Sequence, residues 1–277
     1  MEVQMRVPRF PLSQFVQVIW LVRGQLFYRR EKVIPDGTME LILNFGPPYR
    51  VYEDDPEQQT PKFYHTRKAW IVGTQEEYLM IEPEGRTDLM GFRFHPGGAY
   101  PFFGFPMDEL RYRIVDLDLI LGPWVDRIRE QLAERPDPDA KLDLFENLLW
   151  ERMKEHTQMD PLIRYAVGYL SKPSNLAEPN SVRRLARELG YSEKHTQRLV
   201  TRHVGVSPKK LHRIFRFQNL LQALQAPDSA RSWADVAQCL GFYDQAHLTR
   251  EFRMFTGITP TAYRQAQIFD PKFIPTF

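Results

Sequence analysis

Leu185-Ala186-Arg187-Glu188-Leu189-Gly190-Tyr191 and Val236-Ala237-Gln238-Cys239-Leu240-Gly241-Phe242 repeat one pattern 51 residues apart. In each, a small Ala stands four residues before a Gly, with large apolar residues beside both. Ala lets a second helix cross closely, and Gly supplies the positive φ on which a helix ends. This is helix-turn-helix chemistry. A lone Ala-x-x-x-Gly is common by chance, but a duplicated one is a strong signal.

The likeness continues past the glycines. Ser192 and Asp244 are good N-caps for the second helix of each unit, and Arg198 matches Arg250. Gly205-Val206-Ser207-Pro208 matches Gly257-Ile258-Thr259-Pro260 at an offset of 52, so the second turn carries one added residue, Tyr243. On the first candidate recognition helix Thr196, Leu199 and Val200 face inward, which leaves Lys194, Gln197, Arg198 and Thr201 on one exposed face. On the second, Leu248, Phe252 and Phe255 face inward, leaving Gln245, Thr249 and Arg250 outward with Ala246 and His247 at the edge. Gln and Arg can bond bidentately to adenine and guanine edges, and Ala or a Thr methyl suits thymine. One such face is usually only a solvated surface; two of them in this setting point to DNA.

Between the units, Pro208 starts a helix through Gln225, with Leu211, Ile214, Phe215, Leu221 and Leu224 as its apolar positions and Pro227 as its stop. Its 18 residues span roughly 27 Å. A strut of that order matches the spacing of about 34 Å between successive major grooves on one DNA face.

Net charge is +2 for 277 residues, but it is unevenly divided. From Asn180 onward 15 Lys/Arg face 7 Asp/Glu, whereas residues 1–179 hold 22 against 28. A basic module on an acidic one suits phosphate neutralisation. The composition, 43% hydrophobic and 26% charged, is that of a globular protein of two domains. The single cysteine, Cys239, excludes a disulfide framework and a Cys-based zinc cluster. Residues 1–10 lack a signal-peptide core and no apolar run reaches membrane-helix length, so a cytoplasmic, nucleoid-associated protein is expected, without membrane partners.

The N-terminal half reads as short strands. Phe15 to Val22, Val33-Ile34, Met39 to Phe45, Trp70 to Gly73, Tyr78 to Ile81 and Asp88 to Phe94 alternate with turns such as Pro35-Asp36-Gly37. This spacing predicts an antiparallel barrel or two-layered jelly roll over about residues 1–105, with an acidic surface loop at Glu53 to Gln59. Helices follow over about 106–171, at Trp124 to Ala133 and Leu142 to Met153. The stripe Leu142, Phe145, Leu149 and Met153 either packs on the barrel or pairs with a second copy. A polar, proline-containing linker from Lys172 to Asn180 divides an α+β chain into residues 1–174 and 175–277. The helix-turn-helix units fall at about 181–203 and 232–255, joined by the helix at 208–225.

Residues 180–265 resemble the DNA-binding domain of the AraC/XylS family of bacterial transcription regulators. Leu185-Ala186-x-x-x-Gly190, the run Gly241 to Phe252, and Gly257-Ile258-Thr259-Pro260-x-x-Tyr263-Arg264 carry the resemblance. It implies base contacts from Lys194, Gln197, Arg198, Gln245, Ala246, Thr249 and Arg250. Phosphate contacts are expected from Arg202, Lys209 and Arg253. Thr196 and Val200 stand where that family has larger apolar residues. Pro35-Asp36-Gly37-x-x-Glu40-Leu41 and Gly91 to Ala99 resemble the N-terminal domain of one regulator subgroup, which implies a cupin-like effector or dimerisation domain.

The partners implied are double-stranded DNA, a small-molecule effector, a second copy, and RNA polymerase if the chain activates. Glu40 and Arg93 are the candidate effector contacts: each lies between apolar neighbours and faces either a pocket or solvent, solvent being the simpler reading. Trp20, Trp70 and Phe92 read most simply as core. His65 and His95 stand apart, so no metal or cofactor is expected. No catalytic triad, P-loop or dinucleotide fingerprint points to an enzyme. A repair enzyme with a sacrificial cysteine is set aside because Cys239 is placed on the packing side of its helix. The remaining alternative is an effector-independent or architectural DNA binder.

Overall fold

The computed structural model describes residues 1–53, 60–154, 159–178, 180–225, 233–265 and 272–276. The stop at Pro227, the linker's Pro179 and most of the acidic loop (54–59) lie outside these residues. Eleven described strands form two antiparallel sheets. Strands β1 (Glu2–Arg6), β2 (Val16–Gly24), β4 (Glu40–Asn44), β7 (Ala69–Val72), β9 (Thr87–Phe94) and β10 (Ile114–Asp116) make one, in the order β1-β2-β9-β4-β7-β10. Strands β3 (Arg30–Val33), β5 (Tyr49–Tyr52), β6 (Phe63–His65), β8 (Leu79–Pro83) and β11 (Phe273–Thr276) make the other, in the order β11-β3-β8-β5-β6. No described strand pair joins the sheets, so the layers face each other without closing into a barrel.

Alternation along the six-stranded sheet sends its two faces to different places. Ile19, Leu21, Leu41, Leu43, Met90 and Phe92 pack against α1 (Ala99–Phe103), α2 (Asp118–Leu121), α3 (Trp124–Ala133) and α4 (Pro138–Met153). Trp20, Ile42 and Trp70 on the opposite face look toward the five-stranded sheet. The stripe Leu142, Phe145, Leu149 and Met153 is buried in this core, which closes it as a surface for a second copy.

The remaining helices are α5 (Pro161–Ser171), α6 (Pro173–Leu176), α7 (Ser181–Leu189), α8 (Glu193–Val204), α9 (Pro208–Gln225), α10 (Trp233–Cys239), α11 (Gln245–Thr256) and α12 (Pro260–Gln265). Two cores organise them. Ile163, Ala166 and Leu170 of α5 join Leu176, Leu185, Val200, Val204, Leu211 and Phe215. Ile214, Phe217, Leu221, Leu248, Phe252 and Phe255 form the second, with Phe217 stacked on Phe255 at 4.5 Å between centroids. Helix α9 feeds both, as a strut between two helix-turn-helix units must. The segment read as a polar linker is instead packed: Asn175 Nδ2 donates to the Tyr169 carbonyl, and Leu176 is buried.

The helical part is docked on the sheets. Thr74 Oγ1 donates to the Val204 carbonyl at 2.7 Å, and Gln218 Nε2 donates to the Pro35 carbonyl at 2.7 Å. Lys210 pairs with Glu76 and donates to the Tyr112 hydroxyl at 2.7 Å. Among the described residues no helix is long and apolar enough to cross a membrane.

Candidate nucleic-acid interface

Each candidate recognition helix is set by the same local devices. Gly190 and Gly241 both take φ of +72°, ending α7 and α10 in the left-handed conformation that L side chains resist. Ser192 and Asp244 cap the next helices, accepting from the His195 amide at 3.2 Å and the His247 amide at 2.6 Å. Leu248 and Phe252 anchor α11, and Thr196 and Val200 anchor α8. Val204 on α8 and Phe255 on α11 are buried with them, which leaves the opposite side of each helix turned outward.

Lys194, Gln197 and Arg198 are exposed on α8, and Gln245, Ala246 and Arg250 are exposed on α11. Thr249 is half-buried, its hydroxyl donating to the Gln245 carbonyl at 2.9 Å. Arg198 Nη2 lies 3.5 Å from His195 Nδ1, and the His195 ring packs on Tyr191 at 4.4 Å between centroids. Of the expected phosphate contacts, Lys209 and Arg253 are exposed. Arg202 is exposed but engaged: its Nε donates to the Tyr100 hydroxyl at 3.2 Å and its guanidinium lies over that ring.

The orientation of α11 rests on a charged anchor that sequence periodicity did not single out. Glu251, 6% exposed, accepts from Arg213 Nε at 2.7 Å and Arg216 Nη2 at 2.8 Å, both from α9. Burial pushes its carboxyl up, but Arg216 and Arg213 more than reverse this and leave it below the usual carboxylate range. The first unit has no such anchor among the described residues. Its Thr196 is fully buried, with a hydroxyl that finds no hydrogen-bond partner among them. Thr196→Val removes that desolvated hydroxyl at nearly constant shape and should stabilise the protein by about 1 kcal/mol. A lowered unfolding midpoint in urea would contradict this reading.

Cys239 departs from expectation: it is exposed. Val236 and Ala237 are the inward positions of α10, and the helix stops at Cys239 before another packed turn forms.

A second feature lies between the sheets, where a cavity of about 840 Å³ opens. Glu40 and Arg93, directly opposed on β4 and β9, meet at its edge rather than in solvent. Glu40 Oε1 accepts from Trp20 Nε1 at 2.8 Å and from Arg93 Nε at 3.3 Å. Glu40 Oε2 accepts from Lys272 Nζ at 3.1 Å, and Lys272 also lies 3.1 Å from Asp36 Oδ2. Burial pushes both carboxyls up, but Lys272 and Arg93 reverse the effect, leaving Glu40 low and Asp36 at about 2. Trp20 and Trp70, expected as plain core, line the same space. Asp36 reads in the sequence only as a turn residue, and Lys272 lies 179 positions from Arg93 in the chain, with no local pattern to link them.

Residues 185–266 match a family model described as a helix-turn-helix domain, and residues 4–116 match one described as a domain of unknown function, DUF6597. The arabinose operon regulatory protein of Escherichia coli K12 is 29% identical over 132 residues, which cover 44% of this chain and 43% of that protein. The chain thus spans less than half the length of that relative. The multiple antibiotic resistance protein MarA of the same strain is 29% identical over 94 residues, covering 34% of this chain and 72% of MarA. A solved structure of ToxT from Vibrio cholerae O395 overlays at a TM-score of 0.48 and 10% identity, covering 96% of this chain and 99% of that one. With its duplicated units, matched glycines and caps, and connecting helix in place, residues 185–266 form a helix-turn-helix domain, and the chain is similar over part of its length to the arabinose operon regulatory protein and to MarA.

Proposed function

We propose that this chain recognises an extended, asymmetric duplex site by laying α8 and α11 in successive major grooves. The observation that carries this reading is the pair of outward polar faces, each fixed by a cap, a left-handed glycine and a buried apolar side. Lys194, Gln197 and Arg198 read one half of the site; Gln245, Ala246, Thr249 and Arg250 read the other. Lys209 and Arg253 neutralise phosphates, and Arg202 does so on exchanging the Tyr100 hydroxyl for one. The DNA-binding unit begins at Pro161, because α5 supplies part of the first unit's core. The cavity between the sheets, with Glu40 and Arg93 at its edge, takes a small effector that alters DNA affinity; its volume falls in the range of small-molecule sites.

Fluorescence anisotropy on a bound site, its single-base variants and random duplex tests the reading. Arg198→Ala and Arg250→Ala should each cost about 1–3 kcal/mol on the preferred site and relax preference at one base pair. Lys209→Ala should weaken all sequences alike and flatten the salt dependence. Equal losses on preferred and random DNA for both arginines would point instead to an architectural binder.

A further inference from the structure

The chain's last strand belongs to two compartments at once. Strand β11 is the edge of the five-stranded sheet, paired antiparallel with β3 in the register Phe273↔Val33 to Thr276↔Arg30. Successive side chains of a strand point to opposite faces. Phe273 and Pro275 accordingly line the cavity between the sheets. Ile274, 4% exposed, points the other way, into the core of the second helix-turn-helix unit beside Ile34, Phe217, Phe252 and Phe255. One layer of backbone separates the two spaces.

We infer that the cavity binds a neutral, largely apolar molecule, and that β11 is the wall through which its presence is felt by the second recognition helix. This deepens the effector reading above and rests on it. The walls dictate the ligand class: most lining side chains are aliphatic or aromatic, among them Trp20, Trp70, Val51 and Ile81. The charges at the β11 end are already balanced, Asp36 and Glu40 against Arg93 and Lys272, within mutual contact. An ionic ligand paired with one of these groups would leave that group's present partner as an uncompensated buried charge, on top of the ligand's own desolvation. Glu31, also on the cavity wall, accepts from the Tyr28 hydroxyl at 2.6 Å.

The coupling follows from position. A ligand touching Phe273 and Pro275 bears on a strand held by one neighbour, β3, and by the Lys272 contacts at its start. Movement of that strand moves Ile274, which packs in the same core as the buried side of α11. Packed cores respond to such shifts by switching arrangement rather than by deforming smoothly.

The test uses the full chain and two probes sharing one ring system, neutral N-phenyl-1-naphthylamine and the anionic 8-anilinonaphthalene-1-sulfonate. Saturable fluorescence should appear with the neutral probe, at a Kd at least tenfold below that of the sulfonate. Its binding should change amide exchange across residues 245–256 at least threefold. Ile274→Ala should keep the probe's Kd within twofold and lose the exchange response, with Ile274→Val falling between. Comparable binding of the sulfonate overturns the ligand class, and a wild-type response in Ile274→Ala overturns the route. Saturable binding of neither probe removes the effector reading itself and this inference with it.

Discussion

Glu251→Ala is expected to destabilise the second helix-turn-helix unit by about 3–5 kcal/mol, the cost of removing one partner from a buried ion pair. The carboxylate is shared by two arginines of α9, so its loss strands both. Arg213 is 32% exposed and can turn to water, but Arg216 is 12% exposed and held over the Phe242 ring at 4.4 Å. Arg216 therefore carries most of the penalty. Glu251→Gln keeps an acceptor of the same size and should lose less than half as much. Because Glu251 follows Arg250 directly, the alanine variant should also lose discrimination in the half-site proposed for α11 while α8 still binds its own. Amide exchange of residues 245–256, measured with urea unfolding, checks this; protection equal to wild type would show that the apolar contacts of Phe252 and Phe255 suffice alone.

Glu40→Ala carries the second large effect, about 3 kcal/mol, by the same principle. It leaves the buried Trp20 indole N–H without its acceptor and sets Arg93 and Lys272 against Asp36 alone. The acid profile gives an independent handle. Asp36 titrates in the folded chain at about 2, below its ordinary 3.8, and Glu40 is lowered from 4.5. Groups depressed in this way stabilise the fold fully above their unfolded values and lose that contribution as pH falls through the folded ones, here from about 4.5 toward about 2. Asp36 alone accounts for about 2 kcal/mol over that window. Urea midpoints at pH 6 and pH 3 should differ strongly in wild type and less in Glu40→Ala. Equal differences in both would show that Glu40 does not contribute to acid sensitivity.

The helix-turn-helix units were legible because their signals are local. Gly190 and Gly241, Ser192 and Asp244, and the 3.6-residue spacing of Leu248, Phe252 and Phe255 each act within a few residues, and duplication made them stand out. Helix α9 was legible for the same reason, with Pro208 at its start. The sheet domain was legible as strands but not as a closure. Phe15 to Val22 and Asp88 to Phe94 show their character in composition, whereas whether two sheets close depends on pairings between distant strands. The short strands β1, β5, β6 and β10 went unread, since 3 to 5 residues give little alternation to see. Helix α5 falls by sequence position in the N-terminal half, yet Ile163, Ala166 and Leu170 find their partners across the linker.

The candidate sites divide along the same line. An exposed face of a helix can be read from the helix's own period. The Asp36–Glu40–Arg93–Lys272 cluster joins a turn, two neighbouring strands and the chain's far end, and only the pairing of β3 with β11 brings Lys272 to it. Glu40 and Arg93 stand out by their apolar neighbours, but alternation alone favours solvent over a pocket for them, and it is the second sheet that turns their face into a cavity wall.

The most direct measurement is selection of bound duplexes from a random DNA pool by the full chain, repeated with Arg198→Ala and Arg250→Ala. One asymmetric site with two conserved blocks about one helical turn apart, roughly 10 base pairs centre to centre, is expected, each arginine variant blurring a different block. A single enriched block, or both variants degrading the same one, would contradict it.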